Sequence, residues 1–449
     1  MLSITTKLNT SKNFVSIILV IIALVLSTLV FTSENYKNPD FVRHDMTSYY
    51  GYLPAFFIHH DLSLKFNESL NSHYFAWCTL VENGKIFRST MGVSIMLLPF
   101  YALAELITWL GGFDRTGFTP VYFLCLAFAP VFYLLLGLWL IVKTLKPYVS
   151  QFAIALILIT VVFATNIFHY VINEGIMSHI YSFAMYAVFI YATVNWHRKP
   201  SISFATLIGL SFGMLVLIRP IHGVSVLFFL CYDLSNFKLK YHYLSHVLII
   251  GIVSFLCVLP QMLYWKVYAG HWIFYSYGNE GFFFLASKFI YGLFSFRSGW
   301  LVYSPIMALS FIGMYFMYRE WKAIFLSVVI FSAIYIYVVF SWWCWWYGAS
   351  FSSRSMVDVC PVFVIPLAIL FQKISSATLG KVLLTVVVIG FSALNLFQTW
   401  QYNHGIIHYE GMNKQLYLRV FGATEFPYDY VQLRSYPNYD DAIKGKRDE

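Results

Sequence analysis

Charge is what this sequence has least of. Only 11% of its 449 residues are Asp, Glu, Lys or Arg, whereas a water-facing surface carries roughly a quarter to a third. That deficit excludes a soluble globular domain, and the apolar content excludes a disordered or collagen-like chain. Cysteine is sparse as well. Of six residues, Cys125, Cys231, Cys257 and Cys360 fall in or beside apolar stretches, which leaves Cys78 and Cys344 elsewhere, and no C-x-x-C pair occurs. Burial, and not a disulfide framework, is the reading this supports. No Walker loop, dinucleotide fingerprint, H-E-x-x-H or G-x-S-x-G is present, so ATP-driven transport, redox chemistry and serine hydrolysis lack support. There is no repeat of fixed period and no Gly/Ser linker.

What is abundant is apolar and aromatic. Hydrophobic residues make up 59%, with 44 Phe, 34 Tyr and 13 Trp, and the mean hydropathy is +0.69. About 20 apolar residues cross a bilayer as a helix, and the pattern predicts an all-α, polytopic transmembrane protein. The spans expected are 14–31, 118–142, 149–168, 179–194, 202–218, 221–231, 244–265, 301–317, 323–340, 356–370 and 379–400, about eleven in all. Lys7 and Lys12 precede the first, which reads as an uncleaved anchor with a cytoplasmic N-terminus. The stretch 221–231 is too short to cross alone and follows Arg219-Pro220, so a broken helix is expected there. The stretch 91–110 carries Glu105 and is assigned to the outer surface, or to a re-entrant helix.

With that assignment the inner loops hold Lys143, Lys146, Arg198, Lys199, Lys238, Lys240, Arg319, Lys322, Lys373 and Lys381. The positive-inside rule is obeyed throughout and the C-terminus falls outside. The net charge of +9 is then a topology signal, and nucleic acid drops out as a partner. An integral membrane unit spans 1–400, with a first outer loop at 33–117 that contains surface helices, a later outer loop at 266–300, and a short outer tail at 401–449.

The scarce polar residues on the outer side are therefore conspicuous. Arg43-His44-Asp45 opens the first loop, ahead of an amphipathic Tyr52-Leu53-Pro54-Ala55-Phe56-Phe57-Ile58, and an ion pair of Asp45 with Arg43 is the structural alternative to a catalytic carboxylate. Asn173-Glu174-Gly175 is a tight turn, where an acid could also simply favour a helix N-terminus. Arg219 and His222 flank the break at Pro220. His271, Glu280 and Arg297 punctuate the later loop, and glycine beside Arg297 would admit a phosphate to backbone and guanidinium together. Trp342-Trp343-Cys344-Trp345-Trp346 precedes Arg354 and reads by itself as an aromatic belt at the membrane boundary. Arg354 and Asp358 are one helical turn apart, the spacing of a structural ion pair.

Outer acids and outer arginines beside lipid are the parts needed to handle a lipid phosphate. The layout resembles the GT-C superfamily of polytopic glycosyltransferases, in particular its protein O-mannosyltransferase and lipid A aminoarabinose transferase branches. The patches that carry the resemblance are R-H-D-M-T-S-Y-Y-G-Y-L-P-A around Asp45, Gly92-Val93-Ser94 through Pro99, Glu174, L-F-S-F-R-S-G-W-L-V-Y-S-P from Leu293 to Pro305, and W-W-Y-G-A-S-F-S-S-R from Trp345 to Arg354. Where the family often pairs its first acid with a second, the neighbour of Asp45 is His44. The resemblance implies inverting transfer of a sugar from a polyprenyl-phosphate donor to a protein, lipid or glycan acceptor, on the outer face of a bacterial inner membrane. Asp45 would be the general base and Glu174 would orient the acceptor or hold a cation. His44, Arg219, His222, Glu280, Arg297 and Arg354 would bind substrate. No cofactor is assigned, and a divalent metal on Glu174 and His271 stays open. The other readings are a transporter or flippase of a lipid-linked saccharide, and an inactive relative acting in envelope assembly.

Overall fold

The computed structural model of the chain describes residues 13–70, 72–82, 84–234 and 243–447. Lys7, Lys12, Lys238 and Lys240, four of the bases used above, lie outside the described residues. The architecture is helical, as expected, with one antiparallel hairpin in the first loop that pairs Cys78–Val81 with Gly84–Phe87. Six helical segments among the described residues are long and apolar enough to cross a membrane: Phe14–Lys37, Gly92–Gly111, Pro120–Leu145, Leu244–Ala269, Lys322–Val339 and Thr378–Asn403. Gly92–Gly111 is thus a continuous helix with the length and composition of a crossing, where a surface or re-entrant helix was expected. Shorter apolar helices occupy Gln151–Phe163, Ile202–Ile218, Pro220–Leu230 and Cys360–Ile374.

The first helix, Phe14–Thr32, shows how these elements are held. Ile22, Leu26 and Val30 recur every four residues and are buried, while Ile17, Val20, Ile21 and Leu24 are exposed. One stripe packs on the bundle, and the remaining apolar surface is the kind lipid covers. At the opposite extreme, every residue from Cys360 to Phe371 in Cys360–Ile374 is buried, which makes it a central helix. The expected break after residue 218 is present: Ile202–Ile218 ends at Arg219, and Pro220–Ser225 continues as a 3-10 turn into the short helix Val226–Leu230.

Ile202–Ile218 packs closely on Leu244–Ala269, and the sequence gives the reason. Gly209 and Gly213 are four apart and share one face, and a Cβ at Gly209 would lie 2.8 Å from the Ile250 carbonyl oxygen while one at Gly213 would lie 2.7 Å from Cys257 Cβ. Small residues at this spacing let two backbones approach in a low-dielectric setting. Ser254 Oγ donates to the Gly209 carbonyl at 3.0 Å across the same contact. Gly213→Leu should separate the pair and lower the thermal unfolding midpoint in detergent by several degrees, while Leu210→Val, on the exposed side, should not. Equal midpoints for the two variants would show that the close approach contributes nothing.

Candidate active site

Asp45 is the first residue of the short helix Asp45–Tyr50, entered from His44 at φ 50° and ψ −130°. Left-handed backbone at a non-glycine residue is uncommon and must be held in place by its surroundings. The anchors are visible. Ser48 Oγ accepts from the Ser89 N–H at 2.8 Å, Tyr52 donates to the Ser89 carbonyl at 2.8 Å, and Ser94 Oγ donates to the Tyr49 carbonyl. Met46, Tyr49 and Tyr50 are buried, so this helix and the next one, Tyr52–Phe57, are tucked into the protein more deeply than a surface helix would be.

The partner of Asp45 is Arg354, not Arg43: Arg354 Nη2 donates to Asp45 Oδ2 at 3.0 Å. Both side chains keep some exposure, 28% for Asp45 and 16% for Arg354. Arg354 caps the short helix Ser355–Asp358, but helical spacing does not decide its partner. Asp358 points elsewhere. Its Oδ1 accepts from His179 Nδ1 at 2.7 Å and its Oδ2 from Arg219 Nη1 at 3.0 Å, with His222 Nε2 3.4 Å away.

Tyr347 joins the two halves. It adopts φ 60°, its hydroxyl donates to the Val339 carbonyl at 2.7 Å, and two cations lie near its ring. Arg219 is 5.5 Å and Arg354 5.9 Å from the ring centroid, within cation–π range. Gly92 helps place Arg219, because a Cβ there would come within 2.5 Å of the Ile218 backbone nitrogen, and Thr90 Oγ1 donates to the Ile218 carbonyl at 3.2 Å. The segment that holds Asp45 therefore also braces the end of the helix that carries Arg219.

Glu174 lies in the turn between the helices Ile167–Ile172 and His179–Arg198, with His169 Nε2 3.7 Å from its carboxylate. Burial alone would raise its pKa, but His169, then Arg354 and Arg43, hold it below the usual carboxylate value. Asp45, Glu174, Arg219, His222 and Arg354 are thus linked through ion pairs and neighbouring charges. The other candidates go elsewhere. Glu280 pairs with Arg88 and accepts from Trp343 Nε1 at 3.0 Å, tying the later loop to the first. Arg297 is buried under the C-terminal segment, and its Nη1 donates to the Glu410 and Ser435 carbonyls at 2.8 and 3.1 Å. His44 is exposed beside Asp45, and His271 is exposed in its loop. Among the described residues no group of three or more His, Cys, Asp or Glu is placed to hold a metal ion.

Sequence reasoning did not single out Arg88, Tyr347 or His179, and it assigned Asp358 to Arg354. It also misread the tryptophans. Trp345 and Trp346 are buried, and Trp345 Nε1 donates to the Arg447 carbonyl at 3.1 Å, so they mount the Tyr347 turn and do not form a lipid-facing belt.

The arrangement of helices in this chain has a counterpart among solved structures. A solved structure with this fold is ArnT from Cupriavidus metallidurans bound to undecaprenyl phosphate, at a TM-score of 0.55 and 15% identity, covering 84% of this chain and 64% of that one. The chain spans just under two thirds of the length of that structure. No family model matches the sequence, and no curated protein matches it.

The Glu174 shift fixes a sign. A carboxylate whose pKa is lower when folded than the roughly 4.3 of an unfolded glutamate contributes stability above that value and loses it as pH falls through the folded one. Acidification below about pH 5 should therefore lower the unfolding midpoint of wild type more than that of Glu174→Gln. Superimposable midpoint-versus-pH curves would remove the electrostatic role given to Glu174.

Proposed function

We propose that this integral membrane protein transfers a sugar from a polyprenyl-phosphate donor to an acceptor hydroxyl, in a site on the outer face of a bacterial inner membrane. The observation that carries the reading is the Asp45–Arg354 pair with Arg219 across the Tyr347 ring, set in a fold also seen in a protein solved with undecaprenyl phosphate. A carboxylate beside two guanidinium groups supplies both halves of an inverting displacement. The acceptor oxygen attacks the anomeric carbon and its proton passes to Asp45, a general-base role. The bond from that carbon to the phosphate oxygen breaks, and its electron pair leaves on the lipid phosphate. Arg354 and Arg219 meet the charge that develops there. Glu174, with His169, orients the acceptor. The layout of about eleven spans, N-terminus inside and C-terminus outside, belongs to the same proposal, and no step is routed through a metal.

The test uses protein reconstituted in vesicles with envelope lipids and a radiolabelled polyprenyl-phosphate sugar. Wild type should move label onto an acceptor and release polyprenyl phosphate, and Asp45→Asn should do so about 100- to 10,000-fold more slowly. Equal rates for the two would take Asp45 out of the mechanism. Label that crosses the bilayer still attached to its lipid, with none transferred, would replace the transferase by a carrier.

A further inference from the structure

Asp358 is fully buried, yet it is not one of the groups that would meet the substrate. Three chain segments meet at it, two of which supply its ionic partners. His179 begins the helix His179–Arg198, Arg219 and His222 come from the break at Pro220, and Asp358 itself ends Ser355–Asp358. Because a carboxylate only accepts, His179 must donate from Nδ1, which leaves His179 Nε2 as a bare acceptor, buried without a partner. An unmet buried polar atom costs stability, and an apolar residue in that place would carry no such cost. His222 is fixed in turn: Tyr186 Oη is 3.2 Å from its Nδ1 and Ser182 Oγ is 3.0 Å from its Nε2. Buried ionic clusters of this kind stabilise little compared with apolar packing, and their best-attested use is to fix one arrangement among several.

What this cluster fixes is Arg219. Arg354 belongs to the same short segment as Asp358, four residues earlier, so both cations beside Tyr347 hang from it. Arg354 does so covalently and Arg219 through its 3.0 Å bond to Asp358. We infer that Asp358, seated by His179 and His222, is a positioning residue that sets the spacing of Arg219 and Arg354 for one lipid phosphate. The inference rests on the proposed transferase reading and adds to it a second layer behind the substrate contacts. Arg219 keeps 18% of its side chain exposed, so Asp358 holds one edge of the guanidinium and leaves the remainder to bind.

The experiment is binding of undecaprenyl phosphate to the full-length protein in detergent micelles, with undecaprenol as the phosphate-free control, measured by thermophoresis. Arg219→Gln and Asp358→Asn should each weaken phosphate-lipid binding about tenfold or more, a loss of about 1.4 kcal/mol. Undecaprenol binding should stay level, and the double variant should be no weaker than either single one beyond about twofold, as expected of coupled residues. If Arg219→Gln is weakened and Asp358→Asn is not, the positioning role is wrong and the transferase reading stands. If Arg219→Gln binds as wild type does, the positioning role falls together with the phosphate-binding role given to Arg219, while the transferase reading answers to the Asp45→Asn assay. A parallel loss of undecaprenol binding in Asp358→Asn would make the residue merely structural. Should that variant fail to fold, Asp358→Glu and His179→Gln take its place, and the same losses and recoveries are scored: recovery of phosphate binding in the glutamate variant and selective loss in the glutamine one support the inference, and the reverse overturns it.

Discussion

A carboxylate taken out of water among apolar helices costs several kcal/mol unless its charge is met at close range, and Asp358 imposes that requirement on the centre of this protein. Its partners come from segments far apart in sequence, near positions 179, 219 and 222. The helix His179–Arg198, the break after Ile218 and the foot of the central helix Cys360–Ile374 therefore have to converge on one point. Hydrophobic packing gives the bundle its cohesion but is tolerant of rotation and sliding. The ionic contacts are directional, and they select one register of these helices.

From that point outward the structure becomes a chain of constraints on backbone that would not hold its shape alone. Three non-glycine residues beside the site, His44, Tyr347 and Ser352, have positive φ. Such conformations cost of order 1–3 kcal/mol each and persist only where the surroundings over-determine them. The surroundings here include the C-terminal segment. Arg447 donates to the Ser341 and Trp342 carbonyls at 3.1 and 2.9 Å, its own carbonyl receives Trp345, and Tyr439 receives Trp346 Nε1 at 3.4 Å. The turn that presents Tyr347 is clamped from behind by residues about a hundred positions later. A short tail of mixed charge thus works as a strap over the 341–347 turn.

The sequence made much of this legible, and the reasons for the rest are physical. Long apolar runs identify helices because lipid removes the need for a polar face, and the break at Pro220 is legible because proline there cannot extend the preceding helix. Asp45, Glu174 and Arg354 stood out because charge is scarce. Asp358 was set aside because helical spacing assigns it to Arg354. That rule says which residues share a helix face and not which partner is taken, and Arg354 crosses to Asp45. Arg297 looked like a phosphate ligand from its glycine neighbour, yet its acceptors are carbonyls of residues 410 and 435, a relation no local pattern encodes. The tryptophan run failed in the same way: an aromatic at a boundary can face lipid or protein, and only the fold decides.

The charges that meet near Tyr347 also explain why the cations are all arginine. Asp45, Glu174 and Asp358 are matched in number by Arg43, Arg219 and Arg354, and Arg219 and Arg354 are each already paired with a carboxylate. A lysine ammonium shared with a carboxylate would offer a phosphate only what that carboxylate left of a single point charge. A guanidinium is a planar fork of five N–H donors and can serve a carboxylate along one edge and a phosphate along another. Arg219 spends Nη1 on Asp358 and Arg354 spends Nη2 on Asp45, and both stay partly exposed. Under the transferase reading the carboxylates do not compete with the donor for these arginines. They aim them, so that the remaining donors of each guanidinium are already oriented when the lipid phosphate arrives, and little reorganisation remains for the reaction itself.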